Sequence, residues 1–300
     1  MKQYSIAPYT TFQVAGRAEH IWEAKNPAEL VKAVKKARNL GLDYRVIAGG
    51  SNVVFDDGLF RGLIIRINGG QLKIKGNLAV CDSGVPLSRL VSRTCARGLA
   101  GLETLAGIPG SVGGGIVGNA GAYGHTISDP LQSVEVFDGM RFFLLSKKEC
   151  HFAYRESIFK NKEWFLLRTH FSFKLGRKEE LRKTARDIIK LRLKKYQPGL
   201  RCPGSFFKNI LVKDLSRVTL GRLDKAKIID GKVPAGYLLE SVGARGMHVG
   251  GIRVADYHGN LLVNDGKGTF KDVKSLAGRL KSRVRKKFGI ELKEEVRYMS

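Results

Sequence analysis

The stretch Ile108–Gly124 reads IPGSVGGGIVGNAGAYG, and no other part of the chain limits the fold so tightly. Glycine inside a helix or strand costs roughly 0.5–1 kcal/mol relative to alanine, so a run this dense argues against a regular element. A chain keeps such a run where its backbone turns sharply or lies against something flat or anionic. Without a side chain, backbone N–H groups reach a phosphate directly. A second glycine pair, Gly49-Gly50 in RVIAGGSNVVF, follows a short apolar run. Two such loops point to one diphosphate-bearing cofactor gripped from two sides.

Other phosphate-binding patterns fit less well. GGGIVG, Gly113–Gly118, matches GxGxxG in letters, and Asp138 stands downstream. A Rossmann fingerprint leaves a strand and opens a helix. Here a proline-containing loop precedes the motif and the glycine-rich NAGAYG follows it, so the Rossmann reading is set aside. GxxxxGK[ST] is absent, which argues against P-loop phosphoryl transfer.

The chain has 300 residues, 43% of them hydrophobic, enough for two domains with real cores. No apolar run approaches the length of a membrane span. The start, MKQYSIAPYTTFQ, lacks the apolar block of a secretory signal. Cys81, Cys95, Cys150 and Cys202 form no CxxC pair, which predicts reduced thiols in a cytoplasmic protein and no metal site. The net charge of +26 suits either nucleic acid or anionic substrates. Much of it lies in Arg177–Tyr196 and Lys271–Phe288. In the second segment Val273, Leu276, Ala277, Leu280, Val284 and Phe288 recur at helical spacing, which puts the charges on a solvated outer face. With no RGG tract and no zinc-finger spacing, nucleic-acid binding is expected to be at most nonspecific.

Helix and strand signals alternate along the chain. In KNPAELVKAVKKARNLG, Asn26 caps a helix, Pro27 fits its first position, Glu29 suits a capping box and Gly41 ends it. Tyr44–Ala48 reads as a buried strand running into Gly49-Gly50; Gly62–Ile67 and Leu78–Gly84 read as strands, and Val85–Gly98 as a helix. SVEVFDG and Trp164–Leu175 read as strands, with Arg168, His170 and Ser172 interrupting the apolar residues of the latter. The basic helix Arg177–Tyr196 runs into YQPGLRCPG, where Pro198 and Pro203 mark the domain boundary. The strand Asn260–Asn264 and the second basic helix follow. The alternation predicts α/β or α+β.

Five segments, in order and nearly end to end, make the chain resemble bacterial UDP-N-acetylenolpyruvoylglucosamine reductases, also called UDP-N-acetylmuramate dehydrogenases. They are IAGGSNVVFDDGLFRGLIIRI, GIPGSVGGGIVGNAGAYG, CHFAYRESIFK, CPGSFFKN and FGIELKEEVR. The resemblance implies an α+β fold: a flavin domain of the vanillyl-alcohol-oxidase (PCMH) type over 1–196, in subdomains 1–67 and 68–196, then a C-terminal α+β substrate-binding domain over 197–300. It implies FAD as cofactor and NADPH as co-substrate, although no separate nicotinamide motif is visible. The implied substrate is UDP-N-acetylglucosamine enolpyruvate, reduced to UDP-N-acetylmuramate for peptidoglycan synthesis by a cytoplasmic, monomeric enzyme.

On this resemblance Gly49, Gly50, Ser51 and Asn52 wrap the diphosphate from one side, and Pro109, Gly110, Ser111, Val112, Gly118, Asn119 and Gly121 contact the cofactor from the other loop. The first loop carries Ser51 and no histidine, so the flavin is expected to be noncovalent. Arg155 matches the family's active-site arginine and Ser205 its proton donor. Glu295, directly before Val-Arg, matches the catalytic glutamate in preference to Glu294. Neighbours in a strand face opposite ways, so one of the two enters the site. Tyr154, Lys208 and Asn209 are the expected substrate contacts. The chemistry suits these types: a guanidinium grips a carboxylate with two parallel bonds, and a hydroxyl donates one proton if its neighbours help it.

The chain departs from the family pattern at Ala15, Ala153, Ile210, Gly259 and Leu261. The spacing from Arg155 to Ser205 leaves no room for the substrate-covering insertion of the longer family branch, which favours the shorter branch with a more open site. Two other readings stand beside the main one: another PCMH-type flavin oxidoreductase, or a basic RNA-associated relative without catalysis.

Overall fold

The computed structural model describes residues 3–14 and 16–300; Ala15 and the residues before Gln3 lie outside the described residues. The chain is α+β and forms two compact units. One gathers Ala18–Gly50 and Arg61–Lys195; the other gathers the segment up to Arg17, Ser51–Phe60 and Tyr196–Ser300.

In the first unit the helix Pro27–Asn39 starts as its sequence asks. Asn26 Oδ1 accepts from Glu29 N at 3.0 Å, Pro27 takes the first turn, and Leu30, Ala33, Val34 and Ala37 are buried. Their partners include Leu63 and Ile65 of the strand Leu59–Ile67. The strand Tyr44–Ile47 lies parallel to that strand, Tyr44 opposite Leu63, and delivers the chain to Gly49-Gly50.

The first unit also holds a five-stranded antiparallel sheet, in the order Phe142–Ser146, Leu131–Phe137, Phe165–Ser172, Leu78–Asp82, Leu72–Lys75. One face packs Val134, Val136 and Phe171 against Leu87, Leu90 and Val91 of the helix Leu87–Cys95. Arg168 and His170 occupy alternate positions and face the other way. Arg168 Nε pairs with Asp82 at 3.0 Å, and His170 Nε2 lies 2.8 Å from Glu135. The polar interruptions of the run Trp164–Leu175 are thus one side of a half-covered strand.

The second unit is built on the helix Phe270–Phe288. Thr269 Oγ1 accepts from Asp272 N at 3.1 Å, Asp272 answers to Thr269 N at 3.1 Å, and Gly289 ends the helix with φ +71°. Val273, Leu276, Ala277, Leu280, Val284 and Phe288 are all buried, as the helical spacing predicts. They pack with Ile252, Val254 and Leu262 of a three-stranded antiparallel sheet, His248–Val249, Ile252–Val254 and Leu262–Asn264. Near the end of the chain, Arg297–Met299 lies parallel to Val53–Phe55, with Arg297 opposite Val53.

One expectation fails. The glycine-dense run does contain a regular element: Val112–Val117 is an α-helix with Ser111 as its N-cap, Ser111 Oγ accepting from Gly114 N at 3.1 Å. The glycines are there for contact. A Cβ at Gly113 would lie 2.8 Å from Ser83 Cβ, and one at Gly115 would lie 2.9 Å from Ile127 Cδ1. The helix lies closer to its neighbours than any side chain permits, and that proximity offsets the backbone-entropy cost that made a helix look improbable. Coil precedes it where a Rossmann motif needs a strand.

Candidate active site

In the first unit the two glycine loops touch. A Cβ at Gly49 would lie 2.9 Å from the Cα of Gly110, closer than real Cβ contacts come, so hydrogen is the one substituent that fits. Gly50 and Gly110 have φ of +58° and +108°, where an L side chain is strained. The second loop is fixed from behind: Leu87 N donates to Gly110 O at 3.0 Å, Val112 N to Val85 O at 2.9 Å and Gly113 N to Ser83 O at 2.8 Å. Past the short helix, Gly121-Ala122 pairs with His125-Thr126 in a hairpin whose two central residues, Tyr123 and Gly124, have φ of +51° and +84°. Gly121 is needed there, because a Cβ would lie 2.8 Å from His125 O.

Asn119 sits between helix and hairpin, 6% exposed, with φ +41°. Its Nδ2 donates to Ala153 O at 3.0 Å, while its buried Oδ1 meets no donor among the described residues. A buried acceptor in this state carries a desolvation cost of about 1–3 kcal/mol until a donor arrives. The turn Ala153–Glu156, closed by bonds between Ala153 and Glu156 in both directions, presents Tyr154 and Arg155. Arg155 has φ +57°, its Nη1 donates to Gly121 O at 3.0 Å, and its guanidinium carbon lies 5.6 Å from the centre of the Tyr154 ring. Lys160 Nζ donates to Arg155 O, and Ser157 Oγ donates to Val117 O at 2.7 Å. Gly49, Gly50, Gly110–Val112, Gly118, Asn119, Gly121, Tyr154 and Arg155 all lie in this unit.

Ser51, Asn52, Ser205, Lys208, Asn209 and Glu295 lie in the other unit. Gly204 has φ +87° with nothing crowding it, so its glycine serves the turn that presents Ser205. Ser205 Oγ lies 3.2 Å from Tyr196 Oη. The segment after it is held on both flanks. Asn260, 3% exposed, accepts from Phe207 N with Oδ1 and donates to Phe207 O with Nδ2, both at 2.8 Å. On the other flank Glu295 N donates to Phe206 O at 2.7 Å, and Lys208 N to Lys293 O at 2.9 Å. Asn52 Nδ2 donates to Glu295 O at 2.9 Å, and Arg297 N donates to Asn52 O at 3.0 Å. Glu294 turns to Lys281, whose Nζ is 3.3 Å away. Asn209 Oδ1 accepts from Ala235 N at 3.1 Å, at the start of the helix Ala235–Glu240.

Asn260 and Tyr196 escape the sequence reading: the first looks like the opening of a strand and the second like the end of a basic helix. Gly259, a departure from the family pattern, has a local cause. A Cβ there would lie 2.7 Å from Glu240 Cγ, and Gly259 N donates to Glu240 Oε1 at 3.0 Å. Ile210 begins a two-residue ladder with Lys232–Val233.

The glycine cradle, whose contact a Cβ would destroy, and the unanswered acceptor of Asn119 together fit a large ligand with flat and hydroxylated parts. FAD is such a ligand: its diphosphate needs bare backbone N–H groups and its ribityl hydroxyls supply donors. The histidine-free sequence of the Gly49–Asn52 loop offers no imidazole for a covalent bond.

Residues 18–140 match the model of an FAD binding domain, and residues 194–299 match the C-terminal domain of UDP-N-acetylenolpyruvoylglucosamine reductase. The UDP-N-acetylenolpyruvoylglucosamine reductase of Solibacter usitatus is 42% identical over 295 residues, 98% of this chain and 95% of that protein. The enzyme of the same name from Thermotoga petrophila is 34% identical, over 97% of this chain and 95% of its own. The crystal structure of the UDP-N-acetylenolpyruvylglucosamine reductase from Thermus caldophilus superposes with a TM-score of 0.78 at 30% identity, covering 100% of this chain and 98% of that one. This chain belongs to the UDP-N-acetylenolpyruvoylglucosamine reductase family.

Proposed function

We propose that the chain is an FAD-dependent enzyme of peptidoglycan synthesis that reduces UDP-N-acetylglucosamine enolpyruvate to UDP-N-acetylmuramate with electrons from NADPH. The observation that carries this reading is kinship at 42% identity over 98% of the chain and 95% of the relative. When bound, FAD supplies the hydride that the terminal vinyl carbon of the substrate receives.

The remaining work falls to side chains. Hydride arrival leaves negative charge on the adjacent carbon and its carboxylate. We assign Arg155 to grip that carboxylate, because a guanidinium keeps its charge and offers two parallel N–H bonds. Ser205 delivers the proton to the adjacent carbon. Glu295 polarises the reacting carboxylate region; Glu294 is engaged by Lys281, which supports giving the role to its neighbour. Tyr154, Lys208 and Asn209 contact the nucleotide sugar, and Gly49–Asn52 and Pro109–Val112 with Gly118, Asn119 and Gly121 hold a noncovalent flavin.

The same reading makes 1–196 the flavin domain and 197–300 the substrate domain. It makes the enzyme a cytoplasmic monomer of the shorter branch, with nucleic-acid contacts at most nonspecific. Among the described residues no helix is long and apolar enough to cross a membrane. Purified protein is expected to be yellow, to bleach with NADPH and to regain its colour on addition of the enolpyruvyl substrate. Colour that returns only with oxygen would favour another flavin oxidoreductase, and colourless protein that refuses FAD would favour the noncatalytic reading.

A further inference from the structure

The hydroxyl of Tyr196 lies 3.2 Å from the Oγ of Ser205. Tyr196 packs its ring against the buried cluster of Cys202, Ala255, Leu261 and Val263. The backbone of Ser205 bridges to Leu261 of the same cluster, so both residues are anchored to one small core. The arrangement is not imposed by chain proximity: Pro198, Gly199 and Pro203 lie in the loop between the two residues, and the loop brings them back together.

An aliphatic alcohol is a weak acid, so a serine that gives up its proton needs a group to bear the resulting alkoxide. A phenol is a stronger acid than an alcohol and binds an alkoxide by a charge-assisted hydrogen bond. We propose that Tyr196 is the positioning residue that activates Ser205. It donates its O–H to Ser205 Oγ as the proton leaves and then returns a proton to that oxygen. The step balances. The Ser205 Oγ–H bond breaks as the new C–H bond forms on the substrate, the Tyr196 O–H proton moves to Ser205 Oγ, and water reprotonates the phenolate. The electrons for the reduction come from the reduced nicotinamide of the proposed reaction.

This inference rests on Ser205 being the proton donor, and the test separates the two claims. In single-turnover reoxidation of the reduced holoenzyme, Tyr196→Phe is expected to slow the substrate-dependent phase roughly 10- to 100-fold, the worth of one hydrogen bond to a charged group. Flavin reduction by NADPH should be unchanged. In a Ser205→Ala background the same substitution should add nothing, because the two act as a unit. The wild-type enzyme in H2O/D2O mixtures should show a curved proton inventory, from two protons in motion, and Tyr196→Phe a linear one. In protein labelled at tyrosine Cζ and free of substrate, the Tyr196 signal should shift on Ser205→Ala.

If Ser205→Ala reoxidises at the wild-type rate, the serine assignment fails. If Ser205→Ala is slow while Tyr196→Phe matches wild type, the tyrosine proposal alone is overturned. A linear wild-type inventory, or a Tyr196 signal unmoved by Ser205→Ala, overturns it as well, and neither measurement depends on the Tyr196→Phe protein folding.

Discussion

Asn119 and Arg155 lock two loops together by exchanging bonds. Asn119 Nδ2 donates to Ala153 O at 3.0 Å, in the turn that carries Arg155, and Arg155 Nη1 donates to Gly121 O at 3.0 Å, in the loop that carries Asn119. Both residues have left-handed backbones, with φ of +41° and +57°. A non-glycine residue held there stores of order 1–3 kcal/mol, which persists where surroundings over-determine it and is common at functional sites. The loop that carries Asn119 and the turn that carries Arg155 are therefore parts of one device.

Removing either half should loosen the other. Asn119→Ala is expected to weaken FAD binding about tenfold, the loss of one or two hydrogen bonds from a buried group. It should also speed hydrogen exchange in 153–156. Flavin fluorescence on dilution reads the first effect and exchange mass spectrometry the second. Unchanged exchange in that turn would mean that the lock does not exist.

The contact between Gly49 and Gly110 makes a sharper prediction. Gly49→Ala puts a methyl 2.9 Å from backbone, where no flexible side chain is available to move aside. The variant should be purified without visible flavin absorbance while its far-ultraviolet circular dichroism stays near wild type. Retained colour at normal stoichiometry would show that the cradle has slack.

Asn260 predicts a coupling between stability and catalysis. Its carboxamide answers both polar groups of Phe207 at 2.8 Å. Asn260→Leu leaves a buried N–H and C=O unanswered and should lower the unfolding free energy by about 2–4 kcal/mol in urea titrations. Turnover at a temperature well below the transition should fall too, because the segment presenting Ser205 is then held on one flank alone.

The thiols set a pH limit. Burial pushes Cys81 up to about 12 and Cys95 and Cys150 up to about 11. Unfolded thiols ionise near 8.5. Above that value the unfolded chain sheds protons that the folded chain keeps, so stability is full below pH 8.5 and declines as pH rises toward 12. Melting temperatures taken between pH 8 and 10.5 should fall, and Cys81→Ala should show a shallower slope than wild type.

Much of this was readable in the order of residues alone. The helix Phe270–Phe288 follows from its spacing because one apolar stripe meets one core; its caps, Thr269 with Asp272 and Gly289, come from the structure. The glycine loops were legible as places of close backbone approach because bare backbone has few other uses at that density, and Gly49 does press on Gly110. The short helix Val112–Val117 was not, since propensity counts the entropy of glycine and is blind to Ser83 and Ile127 pressing on it from elsewhere. Asn260 was hidden for the same reason: its partner is Phe207, 53 residues away. The Tyr196–Ser205 contact depends on how one proline-bearing loop closes, and nothing in either residue type announces it.

The central claim is that Ser205 supplies the proton that completes the reduction. Stopped-flow mixing of reduced Ser205→Ala holoenzyme with UDP-N-acetylglucosamine enolpyruvate tests it most directly. The account predicts normal bleaching by NADPH and a substrate-dependent return of flavin absorbance slowed by roughly 10²–10⁴-fold, the range of general acid catalysis. A return at the wild-type rate, with product formed, would contradict it.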